Sequence, residues 1–195
     1  HMALRTVLRS DQQSYPWLAP AGLRRGAVDN ATAIGYIDAE TGEFISIGVT
    51  NSLRDILYDA RVNPITVFPG QAGITIYGQK TRYPLSSALD RVNVARLVVF
   101  LRQQITALSR QYIFQPNDDI TRKSLKSGIE KELNDIKAKR ALYDYVVQCD
   151  SNNNTPARID RDELWVDIAI EPVKSGEFVY IPLRIKSTGS IAAGE

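Results

Sequence analysis

The chain has 195 residues, enough for one substantial hydrophobic core, and its 44% apolar and 24% charged residues are ordinary for a soluble globular protein. A net charge of +2 does not indicate a nucleic-acid binder, so any electrostatic function must come from a local patch. The single cysteine, Cys149, excludes an intrachain disulfide and a thiolate metal cage. No apolar run reaches the roughly 20 residues of a membrane span, so we expect no membrane insertion.

The chain opens with His1-Met2, which is typical of a cloning remnant, and His1 is the only histidine. Without another histidine, Ser-His-Asp and Cys-His catalytic machinery and histidine-based metal sites are excluded. Any enzyme would therefore have to use carboxylates, Lys, Tyr or magnesium. We expect a fragment of a longer protein.

The N-terminal part is predicted to be irregular over residues 1–30, with a flexible segment at 1–14. Proline and glycine punctuate the stretch YPWLAPAGLRRG, which we interpret as a loop held down by Trp17 and Leu18. β-prone residues on both sides of Glu40-Thr41-Gly42 then predict a small hairpin within residues 32–49.

Helical spacing of apolar residues in NSLRDILYDAR predicts a short helix with Asn51 or Ser52 as its N-cap. Two short strands follow, ITVF and GITIYGQ. The stretch from Ser87 to Tyr112 is apolar almost all round, which predicts a buried central helix.

A second helix is predicted at about residues 120–139, with Asn117 or Asp118 as its cap. It is amphipathic, and its apolar stripe consists of Leu125, Ile129, Leu133 and Ile136.

Three strands are predicted after this helix, at about 143–149, 164–170 and 179–185. Pro182 cannot donate to a ladder, so the last strand is expected at a sheet edge. The apolar residues on one face of that strand are Val179, Ile181, Leu183 and Ile185. The small, polar tail at 187–195 is predicted to be a flexible arm.

This element order predicts an α/β (α+β) fold with one domain over residues 15–186. In it, a mixed β-sheet packs against the long buried helix and the second, amphipathic helix, and the small hairpin lies near the N-terminus.

The stretch GITIYGQKT at 73–81 has nearly the spacing of a phosphate-binding loop. The four residues between its glycines are β-branched or aromatic and alternate as in a strand, and Gln79 displaces the lysine. We therefore interpret it as a strand that ends in a turn, and we expect no nucleotide or other cofactor.

Acidic residues occur in several groups, including Asp118 with Asp119 and Asp160 with Asp162. Such pairs could bind magnesium, but helix capping and turn formation explain them equally well. A magnesium- or nucleotide-dependent enzyme therefore stays an alternative.

The second helix carries an excess of basic residues. Lys123, Lys126 and Lys137 share one flank with Glu130 between them, and Lys131 lies opposite the apolar stripe. These four lysines either form a solvated face or dock an acidic protein through weak, salt-sensitive contacts. Nucleic acid is a poorer partner, because this face has no aromatic residues for base stacking.

Six ordered segments resemble the contractile tail sheath proteins of bacteriophages, and the resemblance runs from about Tyr15 to Gly189. They are PWLAPAGLRRG, YDARVNPITVFPGQAGITIYGQKT, SALDRVNVARL, FQPNDDITR, CDSNNNTPARID and ELWVDIAIEPVKSGEFVYI. The resemblance implies a non-enzymatic, mechanical polymer of stacked six-fold rings around a rigid tube. It implies contraction after a baseplate signal, which drives the tube through the host envelope.

The same resemblance implies that this chain is the tube-proximal region of a virion protein that assembles in the host cytoplasm. Its expected partners are other sheath subunits, the tube protein, and baseplate and tail terminator proteins. In the family, arms at the chain ends add strands to neighbouring subunits, and we expect Val179, Ile181, Leu183 and Ile185 to do so here. We expect Lys123, Lys126, Lys131 and Lys137 to contact the tube.

One alternative remains within the same architecture. The chain could come from the sheath of a phage-like bacteriocin or secretion device, which sequence alone does not separate from a phage sheath. A full sheath subunit has outer domains and an N-terminal arm before this region, and without that arm we expect the piece to be monomeric.

Overall fold

Helix α5 (Asp119–Ala138) contributes the most deeply buried side chains in the computed structural model, which describes residues 1–70 and 73–182. All four residues of its predicted apolar stripe are buried, and Leu133 has no exposed surface. Asp118 is the N-cap, because its side chain accepts a hydrogen bond from the backbone N–H of Thr121 at 2.8 Å. The sequence therefore predicted this helix, its stripe and one of its two candidate caps.

The remaining elements follow one another in short pieces. In chain order they are α1 (Met2–Gln13), α2 (Gly22–Arg25), β1 (Ala27–Val28), β2 (Gly35–Ile37), β3 (Phe44–Ser46), α3 (Asn51–Asp59), β4 (Ile65–Val67), β5 (Ile74–Ile76), α4 (Val92–Ser109), β6 (Leu142–Gln148), α6 (Pro156–Ile159) and β7 (Asp167–Pro172). Single 3₁₀ turns at Ala88–Asp90 and Arg110–Tyr112 flank α4.

The core lies between α4, α5 and the β6–β7 pair. Trp17 closes it from the N-terminal loop: its indole N–H donates to the carbonyl of Lys139 at 3.1 Å, and its ring packs edge-on against Phe100. The prediction that Trp17 holds this loop down is confirmed.

Helix α4 differs from its prediction as a helix buried on all sides. It buries Val94, Leu97 and Leu101, but Val99 on another face is more than half exposed. Helix α5 and the strands cover only part of the apolar surface of α4. Helix α4 therefore forms one wall of the core rather than its centre.

The α+β class is confirmed, but the strands do not form one mixed sheet. Among the described residues, β1, β5 and β4 form a three-stranded sheet, while β2 pairs with β3 and β6 pairs with β7. Every one of these pairings is antiparallel. Short connections such as Pro69-Gly70 favour antiparallel neighbours, because parallel strands need a crossover of a dozen or more residues.

The predicted hairpin is confirmed as β2 and β3, and Gly42 adopts a positive φ of 71° in its turn. Helix α3 also occurs where predicted, but its N-cap is Thr50 rather than Asn51 or Ser52. The Thr50 hydroxyl accepts from the backbone N–H of Leu53 at 3.3 Å.

The prediction of an irregular segment is wrong for residues 2–13, which form helix α1. This segment contains neither proline nor glycine, and it buries Thr6 and Ser10 while Leu4 and Leu8 stay exposed. An apolar stripe is the usual sequence signal of a packed helix. That signal is absent here because the buried face is polar.

The last predicted strand is also wrong within the described residues, because 173–182 contain no strand and β7 pairs only with β6. Val179 and Ile181 lie in this segment, whereas Leu183 and Ile185 lie outside the described residues. The composition of this segment favours a strand, but no strand edge within the described residues pairs with it.

Candidate assembly surfaces

The basic flank of α5 lies on the surface, as predicted. Lys123 and Lys131 are exposed, and Lys126 is partly exposed at 3.8 Å from the carboxylate of its helical neighbour Glu130. An exposed pair at this spacing is weak. These three lysines are therefore free to meet a partner of opposite charge.

Lys137 is engaged within the chain. Its ammonium group lies 3.0 Å from the carboxylate of Asp144 on β6, and this contact lowers the pKa of Asp144 below its usual range. A partner would have to compete with Asp144 for this lysine. The structure thus separates Lys137 from the other three predicted contact residues.

Arg122 has a structural role although it belongs to the same basic run. It is buried, and its guanidinium donates to the side chain of Asn117 at 2.8 Å and to the Asn117 carbonyl at 2.9 Å. Asn117 in turn donates to the carbonyl of Glu163 at 2.9 Å. Arg122 therefore fastens the loop before α5 and is not available to a partner.

A second surface surrounds Glu177. Among the described residues, Glu177 is the last one in the chain that makes polar contacts with the rest of the domain. Its carboxylate accepts hydrogen bonds from the Tyr58 hydroxyl and from the Gln79 amide, the latter at 3.2 Å. The guanidinium of Arg91 lies 2.7 Å from the same carboxylate. Three separate elements thus meet at one side chain: the end of α3, the turn after β5 and the start of α4.

The chemistry of this cluster changes the acidity of Tyr58. Burial, together with the hydrogen bond to Glu177 and the negative charge of that carboxylate, raises the pKa of Tyr58 to about 12. The phenol is therefore neutral at physiological pH and acts as a donor. Sequence spacing did not reveal the cluster, because its four residues come from distant parts of the chain; a lone glutamate inside the apolar stretch GEFVYI was the only local sign.

Beyond Glu177 the chain carries an exposed apolar segment, residues 178–182. Val179 is 83% exposed and Ile181 is 74% exposed, and Phe178 and Tyr180 are exposed as well. Only Phe178 has an aromatic neighbour, since its ring meets the Tyr58 ring edge-on at 6.2 Å. Such a run of exposed β-prone residues is unusual for an isolated domain and makes this segment a candidate interaction surface.

The near phosphate-loop at 73–81 is a structural element, as predicted. Residues 74–76 form β5 and are paired with β1 on one side and β4 on the other, so their backbone N–H groups face neighbouring strands. Lys80 donates to the carbonyl of Tyr58 at 2.8 Å and lies over the Tyr58 ring. Neither the backbone nor the lysine is arranged to hold a phosphate.

The predicted acidic pairs have structural roles. Asp118 caps α5, and Asp119 lies 3.4 Å from the guanidinium of Arg122. Asp160 follows directly after the short helix α6, and Asp162 adopts a positive φ of 58° in the turn beyond it. Among the described residues, no group of three or more His, Cys, Asp or Glu side chains is placed to hold a metal ion.

A polar network inside the segment CDSNNNTPARID was missed at the sequence level. Asn154 is almost fully buried; its side-chain amide donates to the carbonyls of Asp150 at 3.1 Å and Trp165 at 2.9 Å, and its oxygen accepts from the backbone N–H of Trp165 at 2.7 Å. The side-chain amide of Asn153 donates to the Gln148 carbonyl and to the Asp167 carboxylate, each at 2.8 Å. The two asparagines thus fasten the loop between β6 and β7 by hydrogen bonds instead of apolar contacts.

Within the described part of the chain, no helix combines the length and the apolar character needed to cross a bilayer. Residues 86–186 match the family model described as Phage tail sheath C-terminal domain. The chain belongs to the phage tail sheath family.

Two curated sheath relatives agree with this assignment. The chain is 35% identical, over 92% of its length, to the tail sheath protein of Vibrio phage KVP40, and it covers 25% of that protein. It is 33% identical, over 93% of its length, to the tail sheath protein of Enterobacteria phage T4, covering 26% of it. The chain therefore spans about a quarter of the length of these relatives.

A solved structure shares the fold. Over 90% of its own length and 48% of the other, the chain superposes with a TM-score of 0.73 and 22% identity on a chain from the sheath complex of an extracellular contractile injection system in its contracted state. At this level of identity the likeness concerns the fold of the sheath domain alone.

Proposed function

We propose that the chain is the tube-proximal part of a contractile sheath subunit, a mechanical and non-enzymatic component of a virion tail. In this function, subunits polymerise as stacked six-fold rings around an inner tube and contract to drive the tube through the host envelope. The match of residues 86–186 to a sheath-domain family carries the proposal. Baseplate and terminator proteins would bound the polymer at its two ends.

The decisive experiment is negative-stain microscopy of the longer protein that contains this chain, alone and with its tube protein. We expect tubular polymers of regular diameter. Discrete particles of constant mass under all conditions would contradict a sheath function.

The exposed apolar segment supports strand addition between subunits. A strand needs a partner for its backbone groups, and residues 178–182 have none among the described residues. Val179 and Ile181, continued in sequence by Leu183 and Ile185, would lie against the edge of a neighbour's sheet. Head-to-tail contacts that do not close on themselves generate a helical polymer.

Strand addition is tested by removing backbone donors while keeping the chain apolar. In the longer protein, the double variant V179P/I181P loses two N–H groups on the same edge of the added strand, so we expect polymers to disappear. The matched control V179T/I181T keeps both donors and the β-branched shape, and it should still polymerise. Normal polymers from the proline variant would refute strand addition at these residues.

We also propose that the basic flank of α5 contacts an acidic surface of the tube. The exposed positions of Lys123 and Lys131 and the partly exposed position of Lys126 support this contact. Lys137 would contribute less, because Asp144 already neutralises it. Long-range attraction of this kind weakens as salt is added.

The triple variant K123E/K126E/K131E tests this contact by co-sedimentation of the chain with tube protein. We expect the variant to lose binding that is measurable at low salt. The control R5E/R102E/R110E has the same change in net charge on other exposed positions and should bind normally. Equal binding by both variants would refute the tube-contact proposal.

A sheath from a phage-like bacteriocin or secretion device fits the same fold. Genes for capsid and packaging proteins beside this gene would favour a phage, and their absence would favour such a device.

A further inference from the structure

We infer that Glu177, together with Tyr58, Gln79 and Arg91, is a releasable latch that sets where the C-terminal arm leaves the domain. The inference rests on the proposed binding of that arm to a neighbouring subunit. The four residues are called the latch below.

The first step is that residues 174–176 make few contacts with the rest of the domain. Val173 is the last residue with backbone anchors: its N–H donates to the Ala141 carbonyl at 3.0 Å, and its own carbonyl accepts from Asn93 at 3.4 Å. Lys174, Ser175 and Gly176 are all exposed. The chain then returns to the domain at Glu177, whose side chain is only 17% exposed.

The second step is that the segment returning to the domain borders a cleft. Ser175, Gly176, Glu177 and Phe178 line a cleft of about 440 Å³ together with Tyr58 and Gln79. A segment that packed on the domain through apolar side chains would leave no such volume. The latch therefore holds the segment at one point instead of along its length.

The third step is that the closed latch is specific. Gln79 is 5% exposed, and its amide N–H group is satisfied by Glu177. Arg91 contacts both Asp90 and Glu177, and its guanidinium also donates to the Tyr58 hydroxyl at 3.4 Å. Loss of the Glu177 carboxylate would leave a buried amide and a partly buried phenol without their acceptor, so the closed state is favoured in the isolated chain.

The fourth step concerns what opening would achieve. With the latch closed, the free arm begins at Phe178; with the latch open, it begins at Lys174. Four residues are added, and at about 3.3–3.6 Å per extended residue the reach grows by at most about 14 Å. Because no strand or helix has to unfold, a pulling neighbour could gain this distance without disturbing the core. The latch would thus let subunits change spacing while their added strand stays bound.

The test is limited trypsin digestion of the chain itself, followed by mass spectrometry of the cut after Lys174. A protease needs an extended, detachable substrate, and closed anchors at Val173 and Glu177 restrict this site. We expect Glu177→Gln to raise the rate of this cut about tenfold or more. Tyr58→Phe, which removes one donor, should raise it two- to fivefold.

Glu171→Gln is the matched control, because Glu171 is an exposed glutamate on β7, and we expect its rate at Lys174 to equal that of the original chain. Cleavage after Lys131 in α5 reports unfolding of the domain and should not change in any variant. An unchanged cut after Lys174 in Glu177→Gln would overturn the latch. Equal acceleration at Lys131 would overturn it too, since Glu177 would then stabilise the whole fold.

This result is independent of polymer formation. If V179P/I181P still polymerises, strand addition at those residues fails although the latch measured by trypsin stands. If trypsin cuts Glu177→Gln after Lys174 at the rate of the original chain while V179P/I181P abolishes polymers, the latch proposal fails and strand addition stands.

Discussion

Tyr58 donates a hydrogen bond to the carboxylate of Glu177 across a separation of 119 residues in the chain. Tyr58 lies in the last turn of α3 and Glu177 lies beyond the last described strand, so this one contact joins the N-terminal half to the start of the C-terminal arm. It forms although neither residue belongs to the main hydrophobic core.

The pKa of Tyr58 reports on the burial of this phenol and on its contact with Glu177. Since its value is raised from 10.0 to about 12, the folded state favours the protonated phenol. The stabilisation from this effect is complete below pH 10 and is lost as the pH rises through about 12. The difference in absorbance at 295 nm between the original chain and Tyr58→Phe should therefore show one tyrosine that titrates near pH 12.

Glu177→Gln should move this titration back towards pH 10, because it removes the negative charge and the strongest acceptor but leaves the burial. Glu171→Gln should leave it near 12. A Tyr58 titration near 10 in the original chain would contradict the contact.

The sequence predicted the elements whose buried surface is apolar and missed those whose buried surface is polar. The stripe of α5 and the apolar residues Ile74 and Ile76 of β5 gave their elements correctly, because both elements bury apolar residues at helical or strand spacing. Helix α1 escaped prediction because it buries Thr6 and Ser10. The loop fastened by Asn153 and Asn154 escaped for the same reason.

The candidate sites divide in a similar way. Exposure of Lys123 and Lys131 could be predicted, since both lie away from one apolar stripe on a single helix. The ion pair of Lys137 with Asp144 and the latch at Glu177 could not, because each joins residues whose meeting depends on the tertiary fold. The strand predicted at 179–185 does not form over its described residues, 179–182, because composition indicates that a segment favours a strand but does not identify what pairs with it.

Asn154→Ala should destabilise the fold strongly for a polar substitution. It removes a side chain that satisfies buried backbone groups of Asp150 and Trp165, and each buried group left without a partner costs about 1–3 kcal/mol. We expect a loss of about 2–4 kcal/mol in the free energy of unfolding measured with urea. Asn152→Ala, two residues away and exposed, should change it by less than about 0.5 kcal/mol; equal effects would contradict the network.

Leu133→Ala and Val99→Ala together test which of the two long helices is more deeply buried. Leu133 has no exposed surface, so its truncation should cost about 2–5 kcal/mol through lost contacts and a cavity. Val99 on α4 is 56% exposed, and its truncation should cost less than about 0.5 kcal/mol. A large effect at Val99, measured by the same urea titration, would restore the prediction that α4 is buried on all sides.

Gly26→Ala tests the close approach of two backbones where the N-terminal loop enters the three-stranded sheet. The carbonyl of Gly26 accepts from the N–H of Ile76 at 2.8 Å, and a Cβ on Gly26 would lie 2.5 Å from the Ile76 carbonyl oxygen. Backbone must shift to accept the methyl group, so we expect a loss of about 1–3 kcal/mol in the free energy of unfolding. Gly48→Ala meets nothing within 4 Å and serves as the control, with an expected change within about 0.5 kcal/mol. If thermal and urea unfolding gave the two variants the same stability, β1 would not pair with β5 in the register described.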